Sequence, residues 1–150
     1  MKFPPVDEPT VIAINSLIAH CENLRRFCRT AIDVDPAQTL RPYLLQSQSA
    51  YERIAEDLRD GLFGTAGEAT GGGLVSGLLH RLREKIGQRG GWRSDTELVD
   101  TLLDEQAAAL DAFDGVIADI SDERIRMILT AHRSILAGLK RQTEHVCSDM

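Results

Sequence analysis

Glycine is nearly missing from most of this 150-residue chain, since ten of its twelve glycines fall between Gly61 and Gly91. The stretches on either side are almost free of the residue that most weakens a helix interior, and both carry long apolar stripes. Basic charge is also short. With 17 Lys and Arg against 23 Asp and Glu, the formal net charge is −6 and the pI is near 5.2, which argues against a nucleic-acid or anionic-membrane surface, since both need a basic stripe. No apolar run approaches the roughly 18 to 20 residues of a spanning helix. Asp7-Glu8 stands where a signal peptide would carry basic residues ahead of Val11 to Ala19. The expectation is a soluble, cytoplasmic protein with neither a membrane nor a nucleic-acid partner. Cysteine is scarce as well, and three of them, an odd number, fit a reducing compartment better than a disulfide framework.

What is there reads as one domain, with 43% hydrophobic and 27% charged residues, enough to bury a real core. Three prolines mark an extended leader over Met1 to Pro9. Thr10 reads as the cap of a first helix over about 10–33, in which Ile14, Leu17, Ile18, Cys21, Leu24, Cys28, Ala31 and Ile32 recur at three- and four-residue steps. After the turn Val34-Asp35-Pro36, a second helix over 39–62 follows the stripe Leu40, Leu44, Ser47, Tyr51, Ile54, Leu58 and Leu62, with Pro42 tolerated in its first turn. The glycine-rich window 61–93 is a crossover. It includes a short amphipathic helix over 74–88, with Leu74, Leu78, Leu79, Leu82 and Ile86 on one side, and Trp92 anchors the return. Ser94-Asp95-Thr96-Glu97 is a capping box that opens a third helix over 94–119. Ser121 opens a fourth over 121–146, with the stripe Ile125, Ile128, His132, Ile135 or Leu136, Leu139, Gln142 or Thr143, and Val146. Two helical hairpins joined by a long crossover predict an all-α chain, a four-helix bundle of ferritin-like topology, because parallel helices cannot be joined by a tight loop.

In such a bundle a di-iron or di-manganese centre takes one Glu from each of two helices and Glu-x-x-His from each of the other two. No Glu-x-x-His occurs in this sequence. The middle inward positions hold Cys21 or Leu24 on the first helix, Gln48 and Tyr51 on the second, Gln106 with Glu105 beside it on the third, and His132 on the fourth. Two readings of that cluster stand. The favoured one is a polar seam, Gln48, Tyr51, Gln106 and His132, whose amides, hydroxyl and imidazole satisfy one another. The other is an atypical site for iron, manganese or zinc using Cys21, Glu105 and His132, since an amide supplies none of the charge that a divalent ion wants. Cys21 and Cys28, seven apart, share a face and are either soft ligands with His132 or small apolar filler. His80, on the crossover helix, packs onto the bundle or serves as a ligand or interface contact. His20, His145 and Cys147 read as surface residues. The run Gly71-Gly72-Gly73 is no phosphate loop, as no Gly-Lys-Ser/Thr follows it.

Several short stretches carry a family likeness. They are Ile14-Asn15-Ser16-Leu17-Ile18, Asp35-Pro36, Gly77-Leu78-Leu79-His80-Arg81 followed by Gly90-Gly91, and Ala108-Ala109-Leu110-Asp111-Ala112-Phe113. In that order and spacing, from Ile14 to about Val146, the chain resembles uncharacterised bacterial ferritin-like bundle proteins, the stress-associated YciF-like and domain-of-unknown-function group. The resemblance implies a ferritin-like fold, often dimeric, with no established enzymatic activity and a metal site in some members. Carried over, the acidic position of the third helix falls on Gln106, and that of the first on Leu24 or Arg25. The combined expectation is a non-enzymatic bundle without an intact di-metal centre and with no cofactor, a homodimer acting as a stress-associated or protein-interaction module. The alternative is a metal-binding relative with an unusual ligand set.

Overall fold

The computed structural model describes residues 8–33, 40–62 and 94–148. Those residues form four helices and no strand: α1, Glu8–Asp33; α2, Leu40–Leu62; α3, Asp95–Asp119; and α4, Glu123–Ser148. The first residues of the leader, the turn at Val34-Asp35-Pro36, the crossover helix over 74–88 with His80, and Trp92 lie outside the described residues. Among the described residues no helix is long and apolar enough to cross a membrane.

The helix starts follow from local chemistry, with two corrections to the sequence reading. α1 begins at Glu8, so Thr10 sits inside the first turn instead of capping it. Pro9 causes no break there, because first-turn amides have no acceptor within the helix. Pro42 is accommodated in the first turn of α2 for the same reason. At α3, Ser94 has extended backbone angles (φ −155°, ψ 164°) and its hydroxyl accepts from the Glu97 amide at 3.2 Å. At α4 the cap is Asp122, one residue beyond Ser121. Its Oδ1 accepts from the amides of Arg124 at 2.9 Å and Ile125 at 3.2 Å. A carboxylate takes both amides and also meets the positive end of the helix dipole, which a serine hydroxyl does not.

Each helix touches two neighbours. α1 packs on α2 and α3, and α4 packs on α3 and α2. Every one of these contacts is antiparallel. The start of α1, Thr10 and Ala13, shares a hollow with Gly115 and Asp119 at the end of α3. Tyr43, early in α2, bonds to Leu139, late in α4, while Asp57 faces His132. Asp114 of α3 pairs with Arg133 of α4 through contacts of 2.6 and 3.2 Å, and Glu22 of α1 pairs with Arg59 of α2. α2 and α3 therefore lie on a diagonal and run parallel, and Leu62 and Ser94 are at opposite ends of a bundle about 35 to 39 Å long.

The core is the meeting of the four apolar stripes. Phe27 on α1 and Phe113 on α3 are fully buried, as are Leu17, Leu24, Leu44, Leu58 and Leu129, each large side chain contributing about 1.5 to 3 kcal/mol on removal from water. On α4 the stripe runs through Leu129 and Leu136, not Ile128, and Ile135 is 48% exposed. The reason is phase: Ile125, Leu129, Leu136, Leu139 and Thr143 all lie within about 40° of one line on a helix of 3.6 residues per turn, which turns Ile128 toward the edge.

Candidate functional site

The middle of the bundle is polar, and α2 supplies most of it. Tyr43, Ser47 and Tyr51 stand one turn apart on a single face of α2, and all three are buried. Opposite them, Gln106 of α3 is 2% exposed. Its Nε2 donates to the Tyr51 hydroxyl at 2.7 Å and makes a longer contact of 3.4 Å with the Tyr43 hydroxyl. The Tyr43 and Thr143 hydroxyls both lie within hydrogen-bond distance of the Leu139 carbonyl of α4, at 2.9 and 3.0 Å, and of each other, so their two protons serve these three contacts in alternation. One amide and two phenols thus join three helices, across the diagonal that separates α2 from α3. α1 contributes its two thiols, since Cys28 and Cys21 lie near enough to Tyr51 to act on its ionisation.

Electrostatically this centre is uncharged. Burial pushes the Cys21 thiol up to about 12, with the charge of Glu22 adding to the shift, and burial alone takes Cys28 to about 12. Burial likewise raises the Tyr51 phenol well above its ordinary range, the neighbouring thiols adding and the Gln106 hydrogen bond opposing. Neither cysteine is a thiolate near neutrality, so neither is a ready nucleophile. Two acceptor-bearing groups of the same centre, the Ser47 hydroxyl and the Gln106 carbonyl, have no hydrogen-bond partner among the described residues.

The side chains singled out in the sequence divide into two places. Tyr51 and Gln106 meet in the centre, and Gln48 is only half-buried on α2. His132 is not with them: it is half-buried in the groove between α2 and α4, beside Asp57 and Ile135. Desolvation lowers its pKa, Asp57 opposes the shift, and its Nδ1 is buried without a partner among the described residues. Glu105 is half-buried next to Gln106 on α3. His80 lies outside the described residues. His145 is exposed, whereas His20 is half-buried with a pKa lowered by that burial, and Cys147 packs partly against the core, both contrary to their reading as surface residues. Among the described residues no three His, Cys, Asp or Glu side chains gather where they would share a metal ion. The groups present do not fit a di-iron or di-manganese centre, which needs several carboxylate oxygens at the point now held by an amide and two phenols.

Tyr43 and Thr143 complete the network and are the residues the sequence reading left out or left open. The signal for Tyr43 was available, because it stands eight residues before Tyr51 with Ser47 midway. A tyrosine beside Pro42 in a first turn reads as a helix end, and its reach to α4 is a tertiary fact.

The second feature is a trough between α2 and α4, the least closely packed pair of neighbours. Two hollows are lined by side chains of both helices, one of about 320 Å³ around Ala50, Ile54, His132 and Ile135, the other of about 500 Å³ around Tyr43, Gly138, Arg141 and Val146. Compared with known proteins, the chain matches no family model, no curated protein and no solved structure, so what it does has to be read from this network and this trough.

Proposed function

We propose that the chain is a ferritin-like bundle whose centre serves structure instead of metal chemistry, and that it acts by binding other proteins, as a homodimeric, stress-associated module of a bacterial cytoplasm. The observation that carries the reading is the bond from Gln106 to Tyr51. It occupies the inward positions where a di-metal bundle needs carboxylates, and it links the diagonal helices directly. The arrangement of the helices agrees with it: antiparallel neighbours, a parallel diagonal pair and widely separated ends at Leu62 and Ser94 are the geometry of a bundle with one long crossover. An uncharged, hydrogen-bonded centre gives a rigid body, and a rigid body with an open seam is suited to presenting a surface.

The test is elemental analysis of untagged protein, purified without chelators and offered Fe(II), Mn(II) and Zn(II) without oxygen. Retention well below one metal per chain is the expected result. One or two metals per chain, lost in the His132→Ala variant, would overturn the reading in favour of a metalloprotein built on Cys21, Glu105 and His132. Sedimentation at micromolar concentration tests the dimer, and a single species of 16.5 kDa would refute it.

A further inference from the structure

We infer that the trough between α2 and α4 is a docking site for an acidic amphipathic helix of a partner protein; the inference rests on the interaction-module reading and names its surface. The first argument is shape. From Tyr43 to Asp57 the trough runs about 21 Å along α2, the length of a helix of about 14 residues. Its floor is apolar or small, with Ala50, Ile54, Ile135 and Gly138. A Cβ built on Gly138 would meet only the Arg141 side chain, at 3.8 Å, so a backbone can come close there. Ile135 stands 48% exposed within it, a large apolar side chain held toward an occupant.

The second argument is charge. The chain carries a net −6, yet the walls of the trough present Arg53 from α2 and Arg141 from α4, with Asp57 as the one acid, at the far end. Neither arginine forms an ion pair among the described residues. Glu52 points about 100° round α2 from Arg53, and Glu56 stands at the rim beside Ser49. A helix laying an apolar stripe on Ala50 and Ile135 places carboxylates against both arginines, the groove-binding mode in which apolar anchors give affinity and charges give orientation. A second copy of this chain matches less well. Its acid-rich helix, α3, has eight Asp and Glu and no Lys, Arg or His, but none of the exposed large hydrophobic residues, Ile12, Leu45, Met127 and Ile135, lies on it.

The test uses three fluorescently labelled amphipathic peptides with one Leu stripe and Glu, Gln or Lys on the polar face, titrated with the full chain. Binding of the Glu peptide, weakened tenfold or more both by Arg53→Glu/Arg141→Glu and by high salt, is the expected result. A bulky plug, Ser49→Trp, removes binding of the Glu peptide without altering helical content. Equal binding of the Lys peptide, unchanged binding by the double variant, or no binding of the Glu peptide overturns the inference. So does a concentration-dependent dimer of the chain that the double variant splits, because the trough then belongs to a second copy. Failure of the peptide with a metal-free protein sinks this inference alone, whereas stoichiometric metal sinks the reading beneath it.

Discussion

Replacing Tyr51 by phenylalanine removes one oxygen from the middle of the bundle. That oxygen is the acceptor for Gln106 Nε2 at 2.7 Å, and without it the amide keeps only its 3.4 Å contact with Tyr43. An amide left unsatisfied in a buried site costs about 1 to 3 kcal/mol. Gln106→Leu produces the mirror defect, orphaning the Tyr51 hydroxyl for a similar cost less the gain from burying leucine. The pair Tyr51→Phe/Gln106→Leu removes both partners together and leaves apolar groups of similar shape, which is close to neutral. The double-mutant cycle should therefore return a coupling energy of about 1 to 3 kcal/mol. Urea unfolding followed by far-UV circular dichroism measures all four corners, and in a domain of this size each kcal/mol moves the melting temperature by about 2 to 4 °C. Additive single effects, or a double variant less stable than either single one, would refute the network as the link between α2 and α3.

Other outcomes follow from the same geometry. Asp122→Ala should cost about 1 kcal/mol through loss of the α4 cap, while Ser121→Ala stays within about 0.5 kcal/mol; reversed magnitudes in chemical denaturation would move the cap back one residue. In native protein at about pH 8 a thiol reagent should modify Cys147 far faster than Cys21 or Cys28, which stay protonated, and all three should react after unfolding; fast modification of Cys21 in folded protein would contradict its burial. The pKa of His132 is lowered in the folded state, so the folded protein disfavours its charged form. Its contribution to stability is whole above the ordinary value of 6.5 and is lost as pH falls below that through the folded value. His132→Gln should flatten this acid limb, and an unchanged pH profile would refute the assignment. Gly115→Ala, where a new Cβ meets nothing within 4 Å, should stabilise α3 by about 0.5 to 1 kcal/mol; destabilisation in a thermal melt would show that the site is not open.

The bundle was legible because each helix repeats its apolar residues at a period the chain cannot hide. Ser94 and Glu97 announced α3, and Tyr51 and Gln106 stood out as polar residues in apolar stripes, where a partner is obligatory. What failed to show was set by rotation and by the other helices. Ile128 and Leu129 are equally apolar and adjacent, so composition does not say which one points inward; packing against α2 and α3 decides it. His132 has the phase of a central residue, yet α2 and α4 stand apart at that level, and the imidazole ends in the groove beside Asp57. Asp122 and Ser121 are both good caps, and the choice rests on how three residues turn from α3 into α4, where Arg126 also donates to the Ile120 carbonyl.

Tyr51 and Gln106 are 55 positions apart, and their meeting has a consequence for how the chain finds its register. The α1–α2 and α3–α4 hairpins can each assemble from contacts near in sequence, and then have to dock on one another. Apolar stripes alone tolerate a slide of one helical turn, about 5.4 Å, because leucine replaces leucine across the seam. The amide and its two phenols do not tolerate it. A one-turn slip strands at least two buried polar groups, a penalty on the order of 2 to 6 kcal/mol, and sets one alignment of the hairpins below its neighbours.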